Sequence, residues 1–226
     1  MAKYRFFQII MALSLVSLII SSAIMCAFMA RKVPEGSYKP NKSGTITSVM
    51  NNGQTEELTD FSACLEYSIV SDGLEDDTGD SYRKGSIYLS TENIVRLEQL
   101  SDVRSKASNG VFISVVILVA CFVVIRRRRL YECVVWGGAA GVIVGIVSMV
   151  AVLLSRSGIS YGINRMVLSG DNTALFPGHD VLPYIIPSDM GIRVICVYSG
   201  VIFAGLVATI VVRVISYKKS RPHKFR

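Results

Sequence analysis

The chain has 226 residues, of which 51% are hydrophobic, and a mean hydropathy of +0.46, which is too apolar for an ordinary soluble domain. Its formal net charge of +7 comes from basic residues at the ends of apolar runs, which argues against a nucleic-acid-binding protein. The five cysteines show neither a disulfide framework nor metal-ligand spacing, so we expect no metal and no cofactor.

The first predicted element is a transmembrane helix over residues 1–30. Lys3 and Arg5 precede about 20 apolar residues, which suffice to cross a bilayer and exceed the core of a cleaved signal peptide. Because basic residues are retained on the cytoplasmic side, we predict a cytoplasmic N-terminus. The chain would then leave the membrane at Arg31 and Lys32.

Residues 31–108 are predicted to form a small extracytoplasmic β/α domain. Polar and turn-forming residues predominate there, and three short stretches of alternating character predict strands at 44–50, 63–70 and 85–89. An amphipathic helix over 91–107 should follow, with a bend at residues 109–110 before the next span.

The rest of the chain predicts three more spans. Four consecutive arginines at 126–129 cannot lie in hydrocarbon, where one charge costs about 2.5–3.5 kcal/mol at the bilayer centre, so they indicate a cytoplasmic turn. The predicted parts are a second span at 109–125, the basic turn at 126–132, a third span at 133–154, an extracytoplasmic loop at 155–191, a fourth span at 192–213 and a basic tail at 214–226. The fold class is therefore membrane α-helical, a multi-pass protein of the plasma membrane with four transmembrane helices and both termini cytoplasmic.

Small residues recur four apart in the last two spans. They are Gly137, Gly141 and Gly145 in the third span, and Gly200, Ala204 and Ala208 in the fourth. Because lipid gives helices little hydrophobic reason to associate, such rows indicate helix–helix interfaces. They favour a compact bundle within one chain, and a homodimer through Gly137, Gly141 and Gly145 is the alternative.

Candidate chemistry is confined to the predicted outer interface. No charged residue lies near the middle of a predicted span, which argues against a transporter or pump. In the loop at 155–191, His179 is followed by Asp180, a pair that could act as a general base with an orienting carboxylate. The alternative is an exposed loop histidine. Neither a serine-hydrolase elbow nor a zinc-peptidase motif is present in the sequence.

Two short stretches, together with the order of the parts, point to a known family. In the first, Asp102-Val103-Arg104 ends a segment in which Gln99 stands where that family has a histidine. The second begins at Asn164, again at a histidine position, and continues through residues 170–176 to 186–187. This layout resembles the lipoprotein intramolecular transacylase family of bacterial membrane proteins.

The resemblance implies a site that faces the outer leaflet and moves an acyl chain onto the amine of a lipoprotein's N-terminal cysteine. Both expected histidines are replaced by amides, which donate hydrogen bonds but cannot act as bases. We therefore expect a non-catalytic relative that binds membrane lipid, a lipoprotein or another membrane protein. The alternative is an interfacial acyltransferase, with His179 as base, Asp180 or Asp171 orienting it, and Gln99 and Asn164 as donors.

Overall fold

The computed structural model describes residues 2–33, 35–41, 46–50, 53–74, 85–124, 127–154, 159, 162–164, 175–176 and 181–220. The helices are α1 (Ala2–Met29), α2 (Asp60–Gly73), α3 (Thr91–Val124), α4 (Arg127–Leu153), α5 (Leu182–Ile185) and α6 (Met190–Ser220). An antiparallel hairpin of β1 (Ile46–Val49) and β2 (Thr55–Leu58) precedes α2.

Within the described residues, four helices are long and apolar enough to cross a membrane. They contain the candidate spans Phe6–Met29, Thr91–Val124, Leu130–Leu153 and Met190–Tyr217. This agrees with the predicted class, a multi-pass α-helical membrane protein with four spans. The side of the membrane on which each connection lies, and the kind of membrane, stay predictions.

The chain divides into two compact units. The helical unit consists of Met1–Cys26, Ala107–Met149 and Val197–Arg226, and the mixed unit consists of Ala27–Lys106 and Val150–Cys196.

Glycines of α4 allow close helix packing inside the helical unit. A Cβ added at Gly137 would lie 2.8 Å from the Cα atom of Ala12 in α1, and one at Gly141 would lie 3.3 Å from the Cα atom of Val16. Gly145 instead packs against Ile202 of α6. The row of glycines is thus used within one chain, and a homodimer through the same three residues stays an untested alternative.

The second span is part of a longer helix than predicted. The expected helix at 91–107 is present, but α3 continues through Asn109 and Gly110 to Val124, so the predicted bend is wrong. Gly110 instead permits close packing, because a Cβ there would lie 2.5 Å from the Oγ atom of Ser21 in α1. Residues 127–132, predicted as part of a turn, form the first turns of α4.

The mixed unit begins with the hairpin, and here one predicted strand and its turn are confirmed. β1 pairs with β2 from Ile46 opposite Leu58 to Val49 opposite Thr55. Gly53, in the predicted turn, has φ +78°, a conformation that glycine adopts at little cost. The strand β2 was not predicted, because its sequence Thr-Glu-Glu-Leu lacks hydrophobic alternation.

The strand predicted at 63–70 is wrong, because these residues belong to α2. Thr59 caps the helix by accepting a hydrogen bond from the backbone N–H of Ser62 (3.2 Å), and Asp60 lies in the first turn, where an acidic residue is favourable. Ala63, Tyr67 and Val70 are buried on one side of the helix. The helical spacing of the buried residues, and not the alternation of apolar and polar residues from which the strand was predicted, therefore determines the structure.

Isolated bridges join distant segments of the mixed unit. The strand predicted at 85–89 is also wrong, since within these residues only Ile87 forms an isolated bridge, to Met50. The chain around residue 40 lies antiparallel to the chain after α5, joined by a bridge between Pro40 and Pro187.

The apolar core of the mixed unit lies around α2. It contains Met50, Leu58, Ala63, Tyr67, Val70, Leu74, Ile87, Leu89, Leu97, Leu100, Val181, Leu182 and Ile185.

Candidate functional site

The sequence-predicted site residues fall into two groups. Asp171, His179 and Asp180 lie outside the described residues, so their proposed roles stay predictions. Gln99 lies on α3 with an exposed side chain, whereas Asn164 lies in a short helical turn and is fully buried.

Asn164 is bonded to a residue that the sequence analysis did not single out. The Nη1 atom of Arg96 donates a hydrogen bond to the Oδ1 atom of Asn164 over 3.1 Å. Arg96 lies one helical turn before Gln99 on α3, and the fully buried Asn93 lies one turn earlier still. The polar side chains here are therefore the buried Asn93 and Asn164 and the half-buried Arg96, whereas Gln99 is exposed.

This polar group can donate hydrogen bonds but cannot remove a proton. A guanidinium stays protonated and carries only donors, and an asparagine amide is not a base near neutral pH. Such a set suits an anion or an oxyanion. Among the described residues no group of three or more His, Cys, Asp or Glu side chains could hold a metal ion.

A second feature of the mixed unit is a pocket of about 280 Å³ between the end of α1 and α2. Val33, Phe61, Cys64 and Leu65 supply apolar walls, and Lys32 and Asp72 supply opposite charges. This pocket was not predicted from the sequence. With a strand at 63–70, Phe61 and Leu65 would not lie one helical turn apart and would not form the apolar wall together.

Arg31 fixes the wall of the pocket where α1 ends. Its side chain is only 2% exposed, and its Nε atom donates to the carbonyl oxygen (3.0 Å) and the Oγ atom (3.1 Å) of Ser71 in α2. The Nη1 atom donates to the carbonyl oxygen of Phe28 (2.7 Å). A buried charge is tolerated only when its donors are satisfied, so these bonds hold the end of α1 against α2.

Two tyrosines support the same wall. The hydroxyl of Tyr67 donates to the carbonyl oxygen of Arg31 over 2.6 Å, and the hydroxyl of Tyr38 donates to that of Ile185, also over 2.6 Å. Their ring centroids are 5.9 Å apart. Burial raises the pKa of Tyr67 to about 12, although the nearby Arg31 guanidinium acts to lower it. Burial also raises the pKa of Tyr38. Both hydroxyls therefore stay neutral donors at physiological pH.

The mouth of the pocket carries two charges beside an apolar edge. The Nζ atom of Lys32 and the Oδ1 atom of Asp72 are 3.7 Å apart, and their side chains are 55% and 70% exposed. Phe61 and Leu65, one turn apart on α2, are 65% and 45% exposed. This combination can contact the charged group and the apolar part of one amphiphilic molecule.

Glu66, on the same helix, ties α2 to the segment before α3. Its Oε1 atom accepts hydrogen bonds from the backbone N–H of Ser86 (3.0 Å) and from the Ser86 hydroxyl. The carboxylate occupies the place that a Cβ of Gly85 would take. Sequence reasoning missed this buried carboxylate, because a glutamate is almost never fully buried.

No family model, no curated protein and no solved structure matches this chain. The resemblance to the transacylase family thus stays a prediction that depends on the short stretches around Asp102 and Asn164.

Proposed function

We propose that this chain is a non-catalytic, multi-pass protein of the plasma membrane that binds lipid, or the acylated N-terminus of a lipoprotein, at the outer surface. In this proposal the mixed unit is extracytoplasmic. The observation that carries it is the pocket beside α2, with exposed Phe61 and Leu65 next to Lys32 and Asp72. Large exposed apolar residues beside a polar rim are typical of an interaction site.

The different burial of Asn164 and Gln99 supports binding rather than catalysis. A transacylase needs a base and an oxyanion donor at one accessible place. Asn164 is fully buried and accepts from Arg96, while Gln99 is exposed to solvent. The two positions that the resemblance assigns to histidines therefore differ in accessibility, whereas a transacylase needs both groups at one accessible place.

The test is photo-crosslinking in intact membranes. A benzophenone amino acid at Phe61 should capture lipid or lipoprotein at least about fivefold more than the same group at Val95, which corresponds to a preference of about 1 kcal/mol. Val95 is the matched control, because it is 44% exposed on α3 of the same unit and does not line the pocket. Equal capture at both positions, measured by mass spectrometry of the adducts, would contradict the proposal.

An acyltransferase is the second candidate, and the contact between Arg96 and Asn164 is the observation in its favour. The Arg96 guanidinium lies next to Asn164, a position where the resemblance expects a histidine, and would stabilise an oxyanion there, with His179 as the base. Mass spectrometry of lipoprotein N-termini from cells with and without the protein separates the two functions. An acyl pattern that changes with the wild type but not with His179→Ala would replace the binding proposal with this one.

A further inference from the structure

We infer that the pocket beside α2 takes the phosphoethanolamine headgroup of a membrane phospholipid, with Lys32 facing the phosphodiester and Asp72 facing the ammonium. The inference rests on the proposed function and names the ligand of the same pocket.

The position of Lys32 relative to the first span is the first argument. The candidate span Phe6–Met29 has 24 residues. At 1.5 Å per residue these make about 36 Å of helix, against a hydrocarbon core of about 30 Å, so the end of the helix reaches the headgroup layer. The chain stays coiled beyond it, since the backbone N–H of Lys32 donates to the carbonyl of Met29 over 3.3 Å. Lys32 therefore lies at the depth of lipid phosphates.

The two charges at the mouth are the second argument. At 3.7 Å the Nζ atom of Lys32 and the Oδ1 atom of Asp72 are too far apart to hydrogen-bond to each other. Exposed pairs of this kind contribute little to stability, so separating them costs little. A headgroup that carries one anion and one primary ammonium offers a group of opposite charge to each of the two side chains.

The same charges discriminate among headgroups. A purely anionic headgroup would meet repulsion from Asp72, and a choline headgroup has no N–H with which to donate to that carboxylate. Phosphoethanolamine satisfies both requirements.

The apolar edge completes the match. Phe61 and Leu65 lie beside the charged mouth and are exposed, so they can contact the first methylenes of the acyl chains. The volume of about 280 Å³ suits a headgroup and the start of two chains, and the rest of the lipid would stay in the bilayer.

The experiment uses the full chain in nanodiscs that contain equal amounts of phosphatidylethanolamine, phosphatidylglycerol and phosphatidylcholine. Native mass spectrometry after detergent release counts the lipids that stay bound. We expect phosphatidylethanolamine to be retained about tenfold over each of the others, and this preference to fall near parity in Lys32→Glu and in Asp72→Lys.

A second ion pair of the mixed unit gives the matched control. Lys106 and Asp102 form an i,i+4 pair on α3, with side chains 74% and 59% exposed, and neither residue lines the pocket. Lys106→Glu and Asp102→Lys make the same changes of charge and should leave the lipid preference as in the wild type. A preference lost equally in both pairs would show an effect of net charge and would overturn the inference.

The remaining outcomes separate this inference from the proposed function. Equal retention of the three lipids, or a preference that Lys32→Glu does not change, overturns the headgroup assignment. If Phe61 still crosslinks to lipid in that case, the proposed function stands, and if it does not, both fall. Soluble glycerophosphoethanolamine is the last arm, because full competition by it at low concentration would identify a soluble ligand instead of a lipid.

Discussion

At the residue scale, Arg31 shows how a charge next to a membrane span becomes part of a structure. Its guanidinium is almost fully buried and donates to Ser71 and to the carbonyl of Phe28. The Tyr67 hydroxyl in turn donates to the Arg31 carbonyl. Side chain and backbone of one residue thus connect the end of α1 to two positions of α2, and the adjacent Lys32 is left facing the pocket.

Tyr67→Phe should lower stability by an amount that depends on pH. Near pH 7 the loss of the hydrogen bond to Arg31 should cost about 1 kcal/mol. Burial raises the pKa of Tyr67 from 10.0 to about 12, so between these values the folded protein holds a proton that the unfolded chain has lost. This contribution to stability is complete below pH 10.0 and disappears as pH rises through about 12. The difference between wild type and variant should therefore shrink above pH 10.0.

Thermal unfolding of the full chain in detergent, at neutral and alkaline pH, measures this difference. Tyr88→Phe is the control, because Tyr88 is 51% exposed and its loss should have little effect at any pH. A Tyr67→Phe difference that stays constant or grows in alkali would contradict the assignment.

At the element scale, α2 explains why part of the fold was predictable and part was not. In residues 65–69, Leu65, Tyr67 and Ile69 alternate with polar residues, which fits a strand, while Ala63, Tyr67 and Val70 fit a helix. The cap at Thr59 and the packing of the buried face decide for the helix. When a strand pattern and a helix pattern overlap in one short stretch, the sequence cannot decide between them. The decision depends on which side chains the rest of the chain buries.

Glu66 of α2 and Gly85 in the segment before α3 lie close together, so we expect the effects of substitutions at these two positions to be coupled. Gly85→Ala places a methyl group against the Glu66 carboxylate and should destabilise the protein by about 1–3 kcal/mol. In a Glu66→Ala background the same change should cost at least about 1 kcal/mol less, because the obstruction is gone. Gly36→Ala, where nothing lies within 4 Å of an added Cβ, should have the same small effect in both backgrounds. Chemical or thermal unfolding of the four combinations tests the coupling, and additive effects would refute it.

The glycines of the spans give a second prediction at this scale. Gly137→Ala should destabilise the helical unit by about 1–3 kcal/mol, because its Cβ would lie 2.8 Å from the Ala12 backbone. Gly200→Ala is the matched control, since nothing lies within 4 Å of a Cβ at that position. It should change stability by less than about 1 kcal/mol. Unfolding in mixed micelles measures both, and a greater loss in Gly200→Ala than in Gly137→Ala would contradict the packing described for α4.

At the scale of the whole molecule, the spans could be predicted and the pocket could not. A run of apolar residues long enough to cross a bilayer is a local property of the sequence, and α1, α3, α4 and α6 contain such runs. The pocket joins residues 32–33 to residues 61–72, and that pairing depends on the burial of Arg31 against Ser71. Nothing in the basic pair Arg31-Lys32 distinguished a buried residue from an exposed one.

The predicted topology can be tested with single cysteines in a chain whose five native cysteines are replaced by serine. Glu56→Cys in β2 should react with a membrane-impermeant maleimide in intact cells, because the mixed unit is expected outside. Glu132→Cys near the start of α4 should react only after permeabilisation, because the arginines before it are expected inside. Both side chains are exposed, so burial does not hide either one. The reverse pattern would sink the topology and the proposed function with it.

The exposed side chain of Trp136 has a practical consequence. It is the only tryptophan of the sequence, it lies within the candidate span Leu130–Leu153, and it is 76% exposed. Intrinsic fluorescence excited at the indole band therefore comes from a single fluorophore on the exposed side of a candidate span. Quenching by lipids brominated at successive carbons would locate this ring along the bilayer normal, and so fix the depth of α4, without any label attached to the protein.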